Sequence, residues 1–342
     1  MSEITVQTSV ENVIIIGAGP CGLSAALELQ SIGIEPLLIE KHAIVHSIYQ
    51  YPTYMQFFST AEVLEIGDVP FTSVNEKPNR REALQYYRDV ALRRELRIRS
   101  YEEAVKLSRD EDGLFRVETK DRFGAVREYA ARFVVVSTGY FDHPNMLGIP
   151  GEQLPKVSHF FTEAHPYTGM KVTIIGGNNS AVDAAMELLR VGAEITIVYR
   201  GETYSPSIKP WVRPLFEGMV NKGRIRMIFG ARVVQIAEQT VTVEPTHSGS
   251  ESYTVDNDFV LALTGFRPER TMLTEAGAIV DPESTVPTFD PETMETNVSG
   301  LYIAGVIAAG REANEIFIES GRHHGKLIAA HINANNPHPT NR

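Results

Sequence analysis

The sequence predicts the α/β class, with parallel sheets, and three observations carry that expectation. The apolar run Val13–Ile16 leads into the glycine turn Gly17-Ala18-Gly19-Pro20-Cys21-Gly22 and then into small and apolar residues. A second run of the same kind, KVTII followed by GGNNSA, opens at Lys171. Each is followed, after one helix, by another apolar stretch, Ile34–Glu40 and Glu194–Arg200. Strand, crossover helix and strand in that order give parallel pairing. The second turn starts 159 residues after the first (Gly17 to Gly176), which reads as a duplicated domain rather than a solenoid.

The elements follow in order. Val13–Ile16 is a short buried strand, and a helix runs from Leu23 to about Ser31, ended by Gly33. Ile34–Glu40 is the second strand. Ile48–Thr60 is aromatic and irregular. Arg80–Leu96 has helical periodicity, its arginines forming a solvated face. Glu103–Leu107 and Leu114–Thr119 alternate as strands do, and Phe133–Val136 is a buried strand running into Ser137–Tyr140. Then come strand Lys171–Ile175, turn Gly176–Ala181, helix Val182–Arg190, strand Glu194–Arg200 and the buried strand Phe259–Thr264. Residues 285–300 are rich in turn formers. Leu301–Ala304 is a last short strand, and a helix runs from about Asn314 to Ile332.

Composition narrows the function. A length of 342 residues suits two domains. The net charge of −11 argues against a nucleic-acid partner, which needs a basic face. The single cysteine excludes an internal disulfide, a CxxC pair and a cysteine-rich metal site, and no other metal constellation is visible. The polar, acidic amino terminus shows neither signal peptide nor membrane span, so a cytoplasmic location is the default expectation.

Both turns point to dinucleotides. Gly17-x-Gly19-x-x-Gly22 matches the fingerprint in which the first glycine allows a tight turn, the second lets backbone approach a pyrophosphate and the third lets helix and strand pack closely. Glu40, 18 residues after Gly22, stands where a carboxylate accepts ribose hydroxyls. In the second turn Gly176 and Ala181 take the outer positions and Asn178 the middle one; Asn tolerates a left-handed backbone and its amide can donate to phosphate. That unit's second strand ends in Tyr199-Arg200, and an arginine there favours the 2′-phosphate of NADPH.

Two nucleotide motifs in one short chain suggest FAD plus a nicotinamide. With GAGPCG, the strand ends Ser137-Thr138-Gly139 and Thr264-Gly265, and GLYIAG at 300–305, the chain resembles two-dinucleotide-binding-domain flavoproteins of the thioredoxin-reductase type. The stretches EKHAIVHSIYQYPTYMQFFST, STGYFDHPN, GGNNSAVDAAMEL and GVIAAGREANEIFIESGRHHG resemble the bacillithiol-disulfide reductase family. The resemblance implies two Rossmann-like domains: an FAD domain split into residues 1–154 and 266–342, and an NADPH domain at 155–265 inserted between them. It also implies a homodimer that reduces a low-molecular-weight disulfide with NADPH, Cys21 being the redox thiol.

The flavin nucleotide is expected along Gly17, Gly19, Pro20, Cys21, Gly22 and Glu40. Further contacts are expected from Lys41, Ser47, Tyr49, Phe58, Ser59 and Val105, and from Thr138, Gly139, Gly305 and Val306. NADPH is expected on Gly176, Gly177, Asn178, Asn179 and Ser180, with Tyr199 and Arg200. Val306 stands where the broader thioredoxin-reductase pattern has a ribityl-binding Asp, leaving its backbone N–H as the donor.

Cys21 has two readings. A helix N-terminus favours thiolate by about 0.3–1 kcal/mol, rising to about 2 in a partly buried setting. One like charge 4 Å away costs about 4 kcal/mol at an effective dielectric of 20, so a flavin diphosphate would keep the thiol protonated. The other reading is a small residue packed in the first helical turn.

Aromatic residues of 48–60 are expected to wall the isoalloxazine, and the carboxy-terminal helix, beginning near Asn314–Glu315, to face its N1 and O2. Arg322, His323 and His324 read as packing or dimer contacts. Gly148, Gly151 and Gly265 suit hinge links. Rival readings are a ferredoxin- or flavodoxin-NADP+ reductase of the same architecture, a flavin monooxygenase and a non-catalytic redox sensor.

Overall fold

The computed structural model describes residues 5–247, 249, 251–310 and 315–335. The chain divides into two compact units. The first runs through Tyr49, from Met55 to His143, and again from Phe266; the second takes residues 50–54 and 144–265.

The first unit begins with β1 (Thr5–Ile16), α1 (Pro20–Ser31), β2 (Leu37–Glu40), α2 (His46–Gln50), α3 (Arg80–Arg93), β3 (Arg97–Ser100), β4 (Glu102–Arg109), β5 (Phe115–Asp121) and β6 (Val126–Val136). Its sheet has the order β3-β2-β1-β6-β5-β4. Strands β3, β2, β1 and β6 are parallel, with Ile14–Ile16 paired to Leu37–Ile39 on one side and to Val134–Val136 on the other. Residues 13–16, 37–39 and 134–136 are all buried. Continuous aliphatic runs are what a parallel sheet covered on both faces requires, and each fully buried aliphatic side chain adds about 1.5–3 kcal/mol. Strands β4 and β5 extend the sheet as an antiparallel meander onto the first half of β6.

Helix α1 starts at Pro20 rather than Leu23, since proline suits the first helical position, where no N–H is needed. Helix α3 opens on a capping box between Asn79 and Glu82 and ends at Arg93, three residues before the sequence expectation. Residues 97–100 then form the edge strand β3, which the helical pattern had obscured.

The second unit contains β7 (Val157–Ser158), β8 (Lys171–Ile175), α4 (Asn179–Arg190), β9 (Glu194–Val198), α5 (Arg213–Asn221), β10 (Ile225–Ile228), β11 (Ala231–Ile236), β12 (Thr240–Pro245), β13 (Tyr253–Asp256) and β14 (Phe259–Ala262). A parallel sheet, β10-β9-β8-β14-β7, carries α4 and α5 over one hydrophobic cluster. The antiparallel sheet β11-β12-β13 packs over a second cluster that includes Ile175, Val198, Val241 and Val260.

This unit begins eleven residues before the expected boundary at 155, at Pro144. Leu147, Ile149 and Leu154 pack on its second cluster. Asn145 N–H donates to Gly265 O at 2.9 Å, and Thr264 Oγ1 to Asn145 O at 2.8 Å. A Cβ on Gly151 would lie 1.8 Å from Ile236 O. Gly151, expected in a hinge link, is therefore packed inside this unit, and Gly148, expected there too, belongs to the same unit but is exposed, with nothing within 4 Å of its Cβ position. Glu152 accepts the N–H groups of Leu147 and Gly148 at 2.6 and 2.8 Å.

The chain returns to the first unit with α6 (Thr271–Glu275), β15 (Leu301–Ile303), a 3-10 turn Gly305–Ala308, α7 (Ile318–Gly321) and α8 (His324–Asn335). Strand β15 pairs in parallel with Val134–Val136. The expected single helix from about 314 to 332 is two helices broken at Arg322–His323, and residue 314 lies outside the described residues. Packing decides the break. A Cβ on Gly325 would lie 2.6 Å from Ala25 Cα, so α8 crosses α1 on a glycine contact.

Candidate active site

The first glycine corner is held by backbone. Gly17, at φ +106, donates its N–H to Ile39 O at 2.8 Å, and a Cβ there would lie 2.5 Å from Ser137 O. A Cβ on Gly22 would lie 2.1 Å from Gly17 O. Gly19 is different: nothing of the protein lies within 4 Å of its Cβ position. The first and third glycines serve the fold, whereas the second faces the open side where a diphosphate can approach. The N–H groups of Cys21 and Gly22 lie in the first turn of α1, without intrahelical acceptors.

Ser137, which sequence reasoning noted only as part of a strand end, ties the corner by donating from Oγ to Ile16 O and Gly17 O, both at 3.0 Å. Thr138 beside it is exposed, and Gly139 has φ +75 with no neighbour at its Cβ position.

Glu40 is 8 % exposed. Its Oε2 accepts Ala18 N–H and its Oε1 accepts His42 N–H, both at 2.8 Å. Burial raises its pKa, opposed by those two amides. The carboxylate thus braces the turn and keeps further lone pairs for ribose hydroxyls. Lys41 is exposed and pairs with Glu103 at 2.9 Å and Asp142 at 3.9 Å, so its charge is directed to carboxylates. Ser47 lies half-buried on α2. The exposed Tyr49 lies under the Arg80 guanidinium, 5.2 Å from the ring centroid. Phe58 is exposed, and Ser59 donates to Glu319 rather than standing free for a flavin edge. Val105 occupies the register shift between Ala104 and Lys106 on β4, with its side chain exposed.

Cys21 lies on α1 with its sulfur against the returning chain. A Cβ on Gly305 would lie 2.8 Å from Sγ, and one on Gly321 would lie 2.7 Å from Sγ and 3.0 Å from Gly305 Cα. The residue keeps partial exposure, but these two glycines wall its sulfur. Burial, and secondarily the Glu319 carboxylate, push the thiol up to about 12. The helix terminus is outweighed, and the resting group is a protonated thiol.

Gly305 N–H donates to His324 Nδ1 at 3.1 Å. Val306, next in the turn Gly305–Ala308, has no intrahelical acceptor for its own N–H. Arg322 donates from Nη1 to Glu65 O at 2.6 Å and Glu62 O at 3.2 Å. Sequence reasoning took Arg322 and His324 for packing or dimer contacts and did not single out Glu319. The glycines flanking this segment, Gly321 and Gly325, were the signal that it packs closely.

The second corner is built on other terms. Gly176, at φ +138, would place a Cβ 2.4 Å from Leu263 O. A Cβ on Gly177 would lie 2.4 Å from the Tyr199 ring, and one on Gly201 would lie 2.5 Å from the same ring. Asn178 caps α4 in an extended conformation, φ −98 and ψ −169, not a left-handed one, and its exposed side chain makes no capping bond. The Asn179 side chain is engaged by the protein: its Nδ2 donates to Ser207 O at 2.9 Å and its Oδ1 accepts Lys209 N–H at 3.0 Å, leaving its backbone N–H in the first turn of α4. Lys209, missed in the sequence, is partly buried and pairs with Asp183 at 3.1 Å. Ser180 and Arg200 are exposed, and Arg200 enters no ion pair among the described residues.

Comparison with known proteins agrees with this geometry. Residues 14–305 match the family model described as pyridine nucleotide-disulphide oxidoreductase. The bacilliredoxin reductase Bdr of Bacillus subtilis is 51% identical over 322 residues, 94% of this chain and 97% of that protein. The structure of the bacillithiol disulfide reductase Bdr from Bacillus cereus superposes with a TM-score of 0.93 at 51% identity, covering 96% of this chain and 100% of that one. The enzyme of the same name from Staphylococcus aureus gives 0.88 at 46%, covering 97% and 100%. Among the described residues no helix is long and apolar enough to cross a membrane.

Proposed function

The chain belongs to the pyridine nucleotide-disulphide oxidoreductase family, beside the bacillithiol disulfide reductases, and from that premise we propose that it is an FAD-dependent, NADPH-oxidising reductase of bacillithiol disulfide. Bound flavin supplies the two-electron step between a nicotinamide and the disulfide. The observation that supports the reading most directly is the pair of glycine corners in a chain with one cysteine.

The open side of Gly19 and the N–H groups of Cys21 and Gly22 receive the FAD diphosphate, and Glu40 receives its ribose hydroxyls. Val306 N–H is a further donor to that phosphate. The start of α4 receives the NADPH diphosphate, and Arg200 its 2′-phosphate. The Asn179 side chain holds residues 207–209 beside that helix start, so its contribution to phosphate is its backbone N–H. Cys21 meets the substrate disulfide as a thiol, and its proton must leave before sulfur attacks sulfur. The protein acts as a cytoplasmic homodimer.

The buried, protonated sulfur favours a second reading, a ferredoxin- or flavodoxin-NADP+ reductase in which Cys21 only packs. Steady-state NADPH oxidation with bacillithiol disulfide and with a ferredoxin, for wild type and C21A, separates the two. Disulfide-dependent turnover lost in C21A supports the thiol route. Full turnover in C21A removes Cys21 from the reaction, and activity only with ferredoxin overturns the disulfide assignment. A purified protein that neither carries nor takes up FAD would end both. Light scattering measures the dimer.

A further inference from the structure

Three backbone segments meet at the sulfur of Cys21: the first turn of α1, the Gly305–Ala308 turn and the end of α7 at Gly321. His324, the first residue of α8, accepts the Gly305 N–H on Nδ1. An acceptor nitrogen carries no proton, so the ring is neutral with its hydrogen on Nε2. Burial agrees with this, since it holds the imidazole below its ordinary pKa.

The backbone under His324 is fastened to the helix that carries the cysteine. Ser24 Oγ donates to Arg322 O at 2.7 Å, and Gly325 rests on Ala25. The contacts therefore close a ring. From Cys21 it runs along α1 to Ser24 and Ala25, across to Arg322 and Gly325, through His324 to Gly305, and from Gly305 back to the sulfur.

We infer that His324 is a positioning residue for Cys21: by holding the Gly305 amide it pins the 305–308 turn against the sulfur and sets how far the thiol opens to a reactant. Without that acceptor the Gly305 N–H is left unpaired beside a buried sulfur, and local opening of the turn becomes easier. Its consequence for turnover rests on the reading of Cys21 as the reacting thiol, whereas its consequence for sulfur access does not.

Cys21 is the only cysteine, so alkylation by iodoacetamide followed by mass spectrometry reports one sulfur. Asparagine places its Oδ1 near the position of histidine Nδ1, whereas glutamine places its oxygen near Nε2. H324A and H324Q should alkylate about tenfold faster than wild type, the effect of losing one bond to a buried amide, and H324N should stay near the wild-type rate. An unchanged rate in H324A, or equal rates in H324N and H324Q, overturns the inference. Thermal melts verify folding, and if H324A does not fold the Asn and Gln pair decides. Full disulfide turnover in C21A would remove the thiol from the reaction and leave the alkylation result standing.

Discussion

The two glycine corners solve one geometric problem with different parts. In the first, the third glycine is obligatory, because a Cβ at Gly22 would sit 2.1 Å from Gly17 O. In the second, Ala181 fills the matching position with its own Cβ, which would stand 3.7 Å from one placed on Gly176. The middle positions differ in the opposite sense. Gly19 borders open space with no side chain at all, whereas its counterpart Asn178 carries an exposed side chain there; Gly177, which matches Ala18, is occluded by the Tyr199 ring. A glycine in such a motif is thus explained only by what its missing side chain would strike: backbone, an aromatic ring or a ligand. The corners also differ in charge, a buried carboxylate bracing the first and an exposed Arg200 flanking the second.

Gly22→Ala should break the comparison most severely. Backbone cannot move aside as a side chain can, and about 3 kcal/mol of stability should be lost, read by chemical denaturation together with a fall in bound flavin. Arg200→Ala comes next. Loss of a charge-assisted contact should raise KM for NADPH by a factor corresponding to about 2 kcal/mol while leaving KM for NADH nearly unchanged; equal changes for both would remove Arg200 from 2′-phosphate recognition. Gly177→Ala should cost about 1 kcal/mol, because the Tyr199 ring can yield, and combining it with Tyr199→Ala should give a clear non-additive recovery.

The smallest effect is on pH dependence. Burial lowers the pKa of His46 and His324, both in the first unit. The unfolded chain takes up protons at these residues below about pH 6.5 while the folded chain resists them, so their contribution is complete above that pH and declines as the pH falls towards their depressed values. Denaturation midpoints at pH 7 and pH 5 should show this loss, reduced in H324N. No reduction would mean that His324 titrates normally.

The corners were legible in the sequence because they are local: buried strand, glycine turn and helix lie within about twenty residues, and their periodicity is strong. The sheet β11-β12-β13 went unread, although Val241 and Val243 alternate, because threonine and charged residues fill its exposed face. Strand β3, Arg-Ile-Arg-Ser, has no buried residue to mark it. The sulfur environment was least legible. Gly305 and Gly321 lie some three hundred residues from Cys21, and nothing local to the cysteine announces the glycines that surround it. Lys41, Ser59 and Asn179 have residue types suited to cofactor contacts, yet each is engaged by the protein itself.

Strand β15 lies against Val134–Val136, and α8 seats on α1, so the first unit is finished by segments made after the second unit. During synthesis the intervening unit has its whole sequence outside the ribosome while its host still lacks a strand and a helix. Until residue 301 emerges, one edge of β6 at Val134–Val136 stays bare. The nascent chain must therefore carry a completed passenger within an unfinished host, and truncations near the carboxy terminus should harm the portion translated first.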